Sequence, residues 1–134
     1  MNFIIKNMKW AMLVSGILTA TMFYGMFAPQ EVLESMFGYS FGGSLEEIII
    51  RSWSALVGLI GVMLIYGFVS EKNRVFSISI AAISEVVFVS LVLLHGQEFL
   101  DKTELAIIMD IVVIILSGIY LVAIYTQKNS QVIE

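Results

Sequence analysis

The sequence has no cysteine, one histidine and one proline among its 134 residues. Without cysteine, this chain cannot form disulfide bonds, thiolate nucleophiles, zinc–thiolate sites or cysteine-ligated iron–sulfur clusters. A single histidine also excludes haem ligation by two histidines of the same chain. We therefore predict no metal site and no cofactor held by this chain's own residues, and the sequence indicates no catalytic residue.

Charged residues are also scarce, with seven Lys and Arg against eleven Asp and Glu, for a net charge of −4. Hydrophobic residues make up 59% of the chain, and its mean hydropathy is +0.95. A water-soluble domain of this composition could not cover its surface with polar groups. The basic residues are few and scattered, which argues against a nucleic-acid partner. The lipid bilayer is the partner that the composition predicts.

Four long apolar stretches organise the chain, at residues 10–28, 48–69, 75–94 and 105–125. At a rise of ~1.5 Å per residue, each reaches roughly the thickness of a bilayer's hydrocarbon core. The first is too long for the apolar region of a signal peptide, so we expect it to be retained as a span. The sequence predicts an all-α fold, an integral membrane four-helix bundle, forming one membrane domain over residues 1–134.

The orientation follows from the basic residues, which are enriched in cytoplasmic connections. With both termini inside, the inner side carries most of them: Lys6, Lys9, Lys72, Arg74 and Lys128. The two outer connections carry mainly acidic residues: Glu31, Glu34, Glu46, Glu47, Glu98, Asp101 and Glu104. We predict a multi-pass protein of the plasma or inner membrane with both termini in the cytoplasm.

The first outer connection, residues 29–47, contains a short amphipathic segment. Val32, Leu33, Met36 and Phe37 recur at helical spacing, and Gly38 follows them. This pattern predicts a short interfacial helix in the headgroup plane, which acts as a lid over a pocket or as a simple connector. Ser44 and Glu47 then fit the S-x-x-E capping box at the start of the second span.

Three charged residues lie inside the predicted spans: Arg51, Glu85 and Asp110. Ionisable groups at membrane depth are costly and rarely face lipid. Each also shares a helical face with small residues, which mark close helix packing in membranes. We therefore predict an inward-facing polar cluster. In it, Arg51 and Asp110 form an ion pair or share a hydrogen-bonded network, and Glu85 lies near the bilayer centre.

Two further residues complete the predicted ligand-binding cluster. Tyr24 follows Gly16 and Ala20 on one face of the first helix, so its hydroxyl is predicted to enter the interior. His95 is placed at the outer end of the third helix, where an imidazolium would interact with the helix dipole. The cluster is either a polar pocket open toward the outside or a set of contacts that fixes helix packing.

A family resemblance rests on the Phe27-Ala28-Pro29 exit from the first helix, the Phe37-Gly38 pair and Arg51 at the start of a glycine-rich helix. With four short spans, the chain resembles the DoxX-like group of small four-helix membrane proteins. The resemblance carries over no catalytic residue. It implies a quinone or lipid-like ligand, and a redox role would require a partner protein.

Three functions follow as hypotheses. The first is a ligand-binding or accessory membrane subunit that takes a quinone, a lipid or a small amphiphile beside Glu85 and Arg51. The second is a proton-coupled small-molecule transporter that uses Glu85, similar in plan to the small multidrug exporters. The third is a structural or assembly protein. A homodimer, or a partner in a membrane complex, fits the thin interior that four short helices provide.

Overall fold

The structure, a computed structural model, describes residues 2–132, without the side chains of residues 2, 131 and 132. Its helices are α1 (Asn2–Ala20), α2 (Tyr24–Phe27), α3 (Pro29–Phe37), α4 (Ser44–Val69), α5 (Glu71–His95) and α6 (Leu100–Val132). Turns of 3₁₀ helix at Thr21–Phe23 and Gln97–Phe99 lead into α2 and α6. No strand occurs in this part of the chain, and the predicted all-α class is confirmed.

Four segments are long and apolar enough to cross a membrane: Phe3–Phe27, Ser44–Val69, Glu71–His95 and Gln97–Ser130. Each includes most of one predicted apolar stretch and extends beyond it into polar sequence, because helical hydrogen bonding continues past the hydrocarbon boundary. Large apolar side chains cover the outside of the bundle; Ile83 is 60% exposed and Ile115 is 55% exposed. The chain is therefore a small multi-pass membrane protein with a lipid-facing exterior.

The four long segments form a closed ring in which α1 packs against α4, α4 against α5, α5 against α6 and α6 against α1. Short connections make successive long helices antiparallel. One end of the bundle holds the start of α1, the end of α6 and the α4–α5 connection, and we call it the basic end. The other, the acidic end, holds α3 and the α5–α6 connection. A buried core near the basic end joins all four long helices: Met8, Met12, Leu64, Ile78, Ala81 and Tyr120.

The closest packing lies along a seam between α1 and α4. Gly16 faces Gly61 so closely that a Cβ added to Gly16 would lie 2.9 Å from the Gly61 carbonyl oxygen. The 3₁₀ turn has about three residues per turn, so Phe23 rather than Tyr24 follows Ala20 on the side that faces α4. The ring of Phe23 covers Gly58 there. As predicted, small residues mark the place where two helix backbones approach.

Both arginines of the chain bind carbonyl groups at helix ends. Arg74 donates to the carbonyls of Gly67 and Phe68 at the end of α4, at 3.2 and 3.4 Å. Arg51 donates from Nη1 to the carbonyl of Met26, near the end of α2. The last carbonyls of a helix have no intrahelical partner, so these guanidinium groups satisfy acceptors that would otherwise be costly in a membrane.

The predicted interfacial helix is confirmed as α3. Val32 and Leu33 are buried on its inner face, whereas Glu31 and Glu34 are exposed. Gly38 ends it in the left-handed region, with φ of 66°, a conformation that glycine adopts without steric cost. The predicted capping box is wrong: Gly43 is the N-cap of α4 and no side chain caps it. Helix α4 begins one residue earlier than the motif requires, and Glu47 binds Arg51 instead.

Candidate functional site

The candidate site is a cavity of about 260 Å³ inside the bundle. All four long helices line it, together with the 3₁₀ turn that follows α1 and with Met36 of α3. It lies on the acidic-end side of the buried core. Its lining residues include Ser15, Leu18, Thr19, Met22, Val57, Ile60, Ala81, Ala106 and Val113, in addition to those described next.

Two carboxyl groups face this cavity, Glu85 from α5 and Asp110 from α6. Oε2 of Glu85 is buried and has no hydrogen-bond partner among the residues that the structure describes. Ser84 lines the cavity beside Glu85. Of the predicted polar cluster, the structure therefore brings together Glu85 and Asp110.

Aromatic side chains form the acidic-end boundary of the cavity. Trp53 and Phe88 both line it, with ring centroids 6.3 Å apart and planes inclined by 26°. Phe37, the last residue of α3, packs on Trp53 at 6.1 Å and edge-on against Phe99 at 5.8 Å. These rings join α3 to α4, α5 and the turn before α6. The interfacial helix is thus packed over the end of the cavity.

The predicted pairing of Arg51 with Asp110 is wrong. Arg51 donates from Nε and Nη2 to Oε1 of Glu47, at 2.9 and 2.6 Å, and also to the Met26 carbonyl. Its side chain is 42% exposed at the acidic end and does not line the cavity. Glu47 lies one helical turn away on the same helix, whereas Asp110 lines the cavity on α6. The nearer carboxylate and the free carbonyl take the guanidinium group.

The predicted inward position of Tyr24 is also wrong. Tyr24 is exposed, and its hydroxyl donates to Oε2 of Glu31 on α3 at 2.5 Å. The cause is the 3₁₀ turn before it, which shifts the helical phase away from the stripe that Gly16 and Ala20 begin. His95 is exposed at the end of α5, as its predicted interfacial position requires, and does not line the cavity.

Trp53 and Phe88 are not among the predicted site residues. A signal for Trp53 is present in the sequence, because it lies next to Ser54, Val57 lies next to Gly58, and Ile60 next to Gly61. Since these small residues face the first long segment, Phe3–Phe27, the residue before each of them is turned by one helical step toward the interior. The α4 side of the cavity follows from the position of the seam.

Chemically, the site combines an apolar and aromatic wall with two carboxyl groups and several hydroxyl groups. Within residues 2–132 no three His, Asp or Glu side chains come together as metal ligands would. The geometry suits a small, largely apolar molecule with one polar end. Comparison with protein-family models, with curated proteins and with solved structures found no match to this chain.

Proposed function

We propose that this small membrane protein binds a small amphiphile in the cavity between its four long helices, as a ligand-binding or accessory membrane subunit. The observation that carries the proposal is that apolar walls and two membrane-embedded carboxyl groups line one cavity. Ionisable groups at membrane depth cost free energy, on the order of 2.5 to 3.5 kcal/mol on insertion scales. A group retained at that cost beside an open space is best explained by a ligand.

The size of the cavity limits the ligand. At about 260 Å³ it is slightly smaller than ordinary pockets for drug-sized molecules, which begin near ~300 Å³. It holds a headgroup or a single ring, while the rest of the ligand stays in apolar surroundings. A quinone head and a lipid headgroup are both small enough.

The family and cellular setting belong to the same proposal. The Phe27-Ala28-Pro29 exit and the Phe37-Gly38 pair support membership of the DoxX-like group, and that resemblance implies a quinone or a lipid-like ligand. A redox role would need a partner that supplies the electron-transfer cofactor, or a second copy of the chain. The basic end faces the cytoplasm in this proposal, because its connections carry most of the lysine and arginine.

The experiment is ligand co-purification. The protein is purified in mild detergent, extracted with organic solvent and analysed by mass spectrometry. We expect a small amphiphile at near-stoichiometric amounts in the wild type and a large loss in Ala106→Phe, which fills the cavity. The matched control is Ser90→Phe, a comparable enlargement at an exposed position of α5. Equal ligand content in both variants, or no bound molecule in the wild type, would overturn the proposal.

A proton-coupled transporter is the second candidate, and the unpartnered Oε2 of Glu85 beside Asp110 favours it. Carboxyl groups at membrane depth that face a cavity are typical of proton relays in transporters. The test is acidification of proteoliposomes, followed with an internal pH-sensitive dye after a substrate gradient is imposed. Transport predicts substrate-dependent proton flux that Glu85→Gln abolishes, and flux equal to that of empty liposomes contradicts it.

A structural or assembly role and a binding role predict opposite effects of a Glu85 substitution on thermal stability. If Glu85 only fixes helix packing, Glu85→Leu lowers the unfolding temperature of the ligand-free protein. If Glu85 is retained for binding, the same change leaves the unfolding temperature equal or raises it, since functional sites are often kept at a cost in stability. Thermal unfolding in detergent, followed by circular dichroism, separates the two.

A further inference from the structure

A second concave surface lies outside the bundle, in the groove between α4 and α5. Its volume is about 590 Å³, and nearly all its lining side chains are apolar. Leu56, Leu59 and Leu91 are among them, each more than half exposed on the lipid-facing side. In a bilayer, acyl chains would occupy such a groove.

The groove and the cavity share part of their lining. Five residues contribute to both surfaces: Trp53, Val57, Ile60, Ser84 and Phe88. The wall between the carboxyl cavity and the lipid-facing groove is therefore one layer of side chains thick. An elongated molecule could place its polar end in the cavity and its apolar end in the groove if it passes between α4 and α5.

The acidic residues of the cavity determine which charge the polar end of the ligand should carry. Glu85 and Asp110 line it, and none of its lining residues is Lys, Arg or His. Arg51 is held by Glu47 and the Met26 carbonyl and does not reach it. Buried carboxylates are stable when a positive charge pairs with them, and no lining side chain provides one.

The aromatic pair of Trp53 and Phe88 also favours a positively charged ligand head. Trp53 and Phe88 line the cavity at the point where it meets the groove. The face of an aromatic ring attracts cations, most strongly for tryptophan. A head that carries positive charge would meet carboxyl groups on α5 and α6 and aromatic rings on α4 and α5.

We propose that the ligand is a single-tailed amphiphile with a positively charged amine head, held by Glu85 and Asp110, and with its tail in the α4–α5 groove. This inference rests on the proposed function and names its ligand class. It also implies that the ligand enters from the hydrocarbon region of the bilayer through the wall between α4 and α5.

The head is tested with a tryptophan reporter in nanodiscs of neutral phosphatidylcholine. Trp10→Phe leaves Trp53 as the sole tryptophan. The quenchers are octadecylamine with a nitroxide close to its head and the matching nitroxide-labelled octadecanoic acid. We expect saturable quenching by the amine, displaced by unlabelled octadecylamine. Changing Glu85→Gln and Asp110→Asn together should weaken the apparent affinity for the amine by roughly tenfold or more, the scale of a lost charge-assisted contact. Glu104→Gln, which changes an exposed carboxylate, should leave this affinity unchanged.

The tail is tested by moving both the tryptophan and the nitroxide. In a chain with Trp10→Phe and Trp53→Phe, a tryptophan is introduced by Leu59→Trp in the groove or by Ile115→Trp on the lipid-facing side of α6. The nitroxide is placed further along the amine's tail. We expect saturable quenching at position 59. At position 115 we expect only the unsaturable quenching that a freely diffusing lipid gives. Equal behaviour at the two positions would exclude the groove.

The outcomes separate this inference from the proposed function. If the acid probe quenches Trp53 saturably and the amine does not, the cavity binds amphiphiles but the assigned charge is wrong. If the amine binds saturably and the double carboxyl change has no effect, Glu85 and Asp110 do not hold the head. If neither probe gives saturable quenching and no ligand co-purifies, the proposed function fails with the inference.

Discussion

Replacing Gly61 with alanine tests whether the seam between α1 and α4 holds the bundle together. A Cβ at this position would lie 2.7 Å from the carbonyl oxygen of Gly16 and 2.8 Å from the Cα of Ala20. Both are backbone atoms, so no side-chain rotation can relieve the contact. The backbone nitrogen of Ala20 would be closer still. Since non-bonded heavy atoms pack best at roughly 3.5 to 4.0 Å, the two helices must separate by about 1 Å or more.

The magnitude follows from overpacking. Forcing an extra carbon into a closely packed interface costs typically about 1–3 kcal/mol. The separation also weakens contacts along the neighbouring turns of α1, because dispersion attraction falls steeply with distance. Alanine favours helix by up to about 1 kcal/mol over glycine, and this gain offsets part of the cost. We expect a net loss of about 1–2 kcal/mol in the free energy of unfolding.

Unfolding by increasing SDS in mixed micelles, followed by circular dichroism, measures this loss. Gly118→Ala is the matched control, because it makes the same change within a transmembrane helix where an added Cβ meets nothing within 4 Å. The control should be as stable as the wild type or slightly more stable. Finding Gly61→Ala and Gly118→Ala equally stable would refute the view that close backbone approach holds α1 against α4.

Three further predictions concern the rest of the fold. Hydrogen bonds, first from Gln30 and then from a serine beyond α3, hold the pKa of the exposed Glu34 carboxyl below its usual range. Their stabilising effect is therefore present at neutral pH and is lost as the pH falls through that lowered pKa. In a titration followed by NMR of the carboxyl carbon, the pKa of Glu34 should rise in Gln30→Ala, and an unchanged pKa would contradict this. The side chain of Ile78 is only 1% exposed, so Ile78→Ala should lower the free energy of unfolding in SDS by about 2 kcal/mol. This is the low end for such truncations, because lipid also solvates the unfolded helices. The lipid-facing Ile83→Ala should change the free energy of unfolding little. Arg51→Lys keeps the charge but loses the planar fork that reaches both the Glu47 carboxylate and the helix-end carbonyl, so proteolysis of the exposed connection after α3 should become faster; unchanged cleavage would contradict this.

The transmembrane architecture could be predicted from the sequence because bilayer thickness fixes the length of an apolar helix. The interfacial helix could be predicted as well, since Val32 and Leu33 recur at helical spacing and Gly38 supplies the left-handed end. Helix ends were less predictable. The α4 N-terminus lacks the predicted side-chain cap because Glu47 has a stronger partner in Arg51, one turn further along the same helix.

The candidate site was only partly predictable, for a geometric reason. Glu85 and Asp110 could be found from their position within apolar spans, since charge at membrane depth is rarely exposed to lipid. The direction of Arg51 could not, because it depends on a carbonyl left free by the end of another helix. Tyr24 was misplaced because a short 3₁₀ turn, which periodicity assumes absent, changes the helical phase ahead of it.

The charged groups of this bundle fall into two kinds according to whether nearby structure satisfies them. Near the helix ends, Arg51 and Arg74 donate hydrogen bonds to carbonyl groups that have no partner within their own helix. At the middle of the bundle no helix ends, and the backbone offers Glu85 and Asp110 nothing comparable. Their carboxyl groups face a cavity instead of a partner of opposite charge. Packing alone would favour apolar side chains at these two positions. In the function that we propose, a molecule that enters the cavity recovers the free energy that they cost.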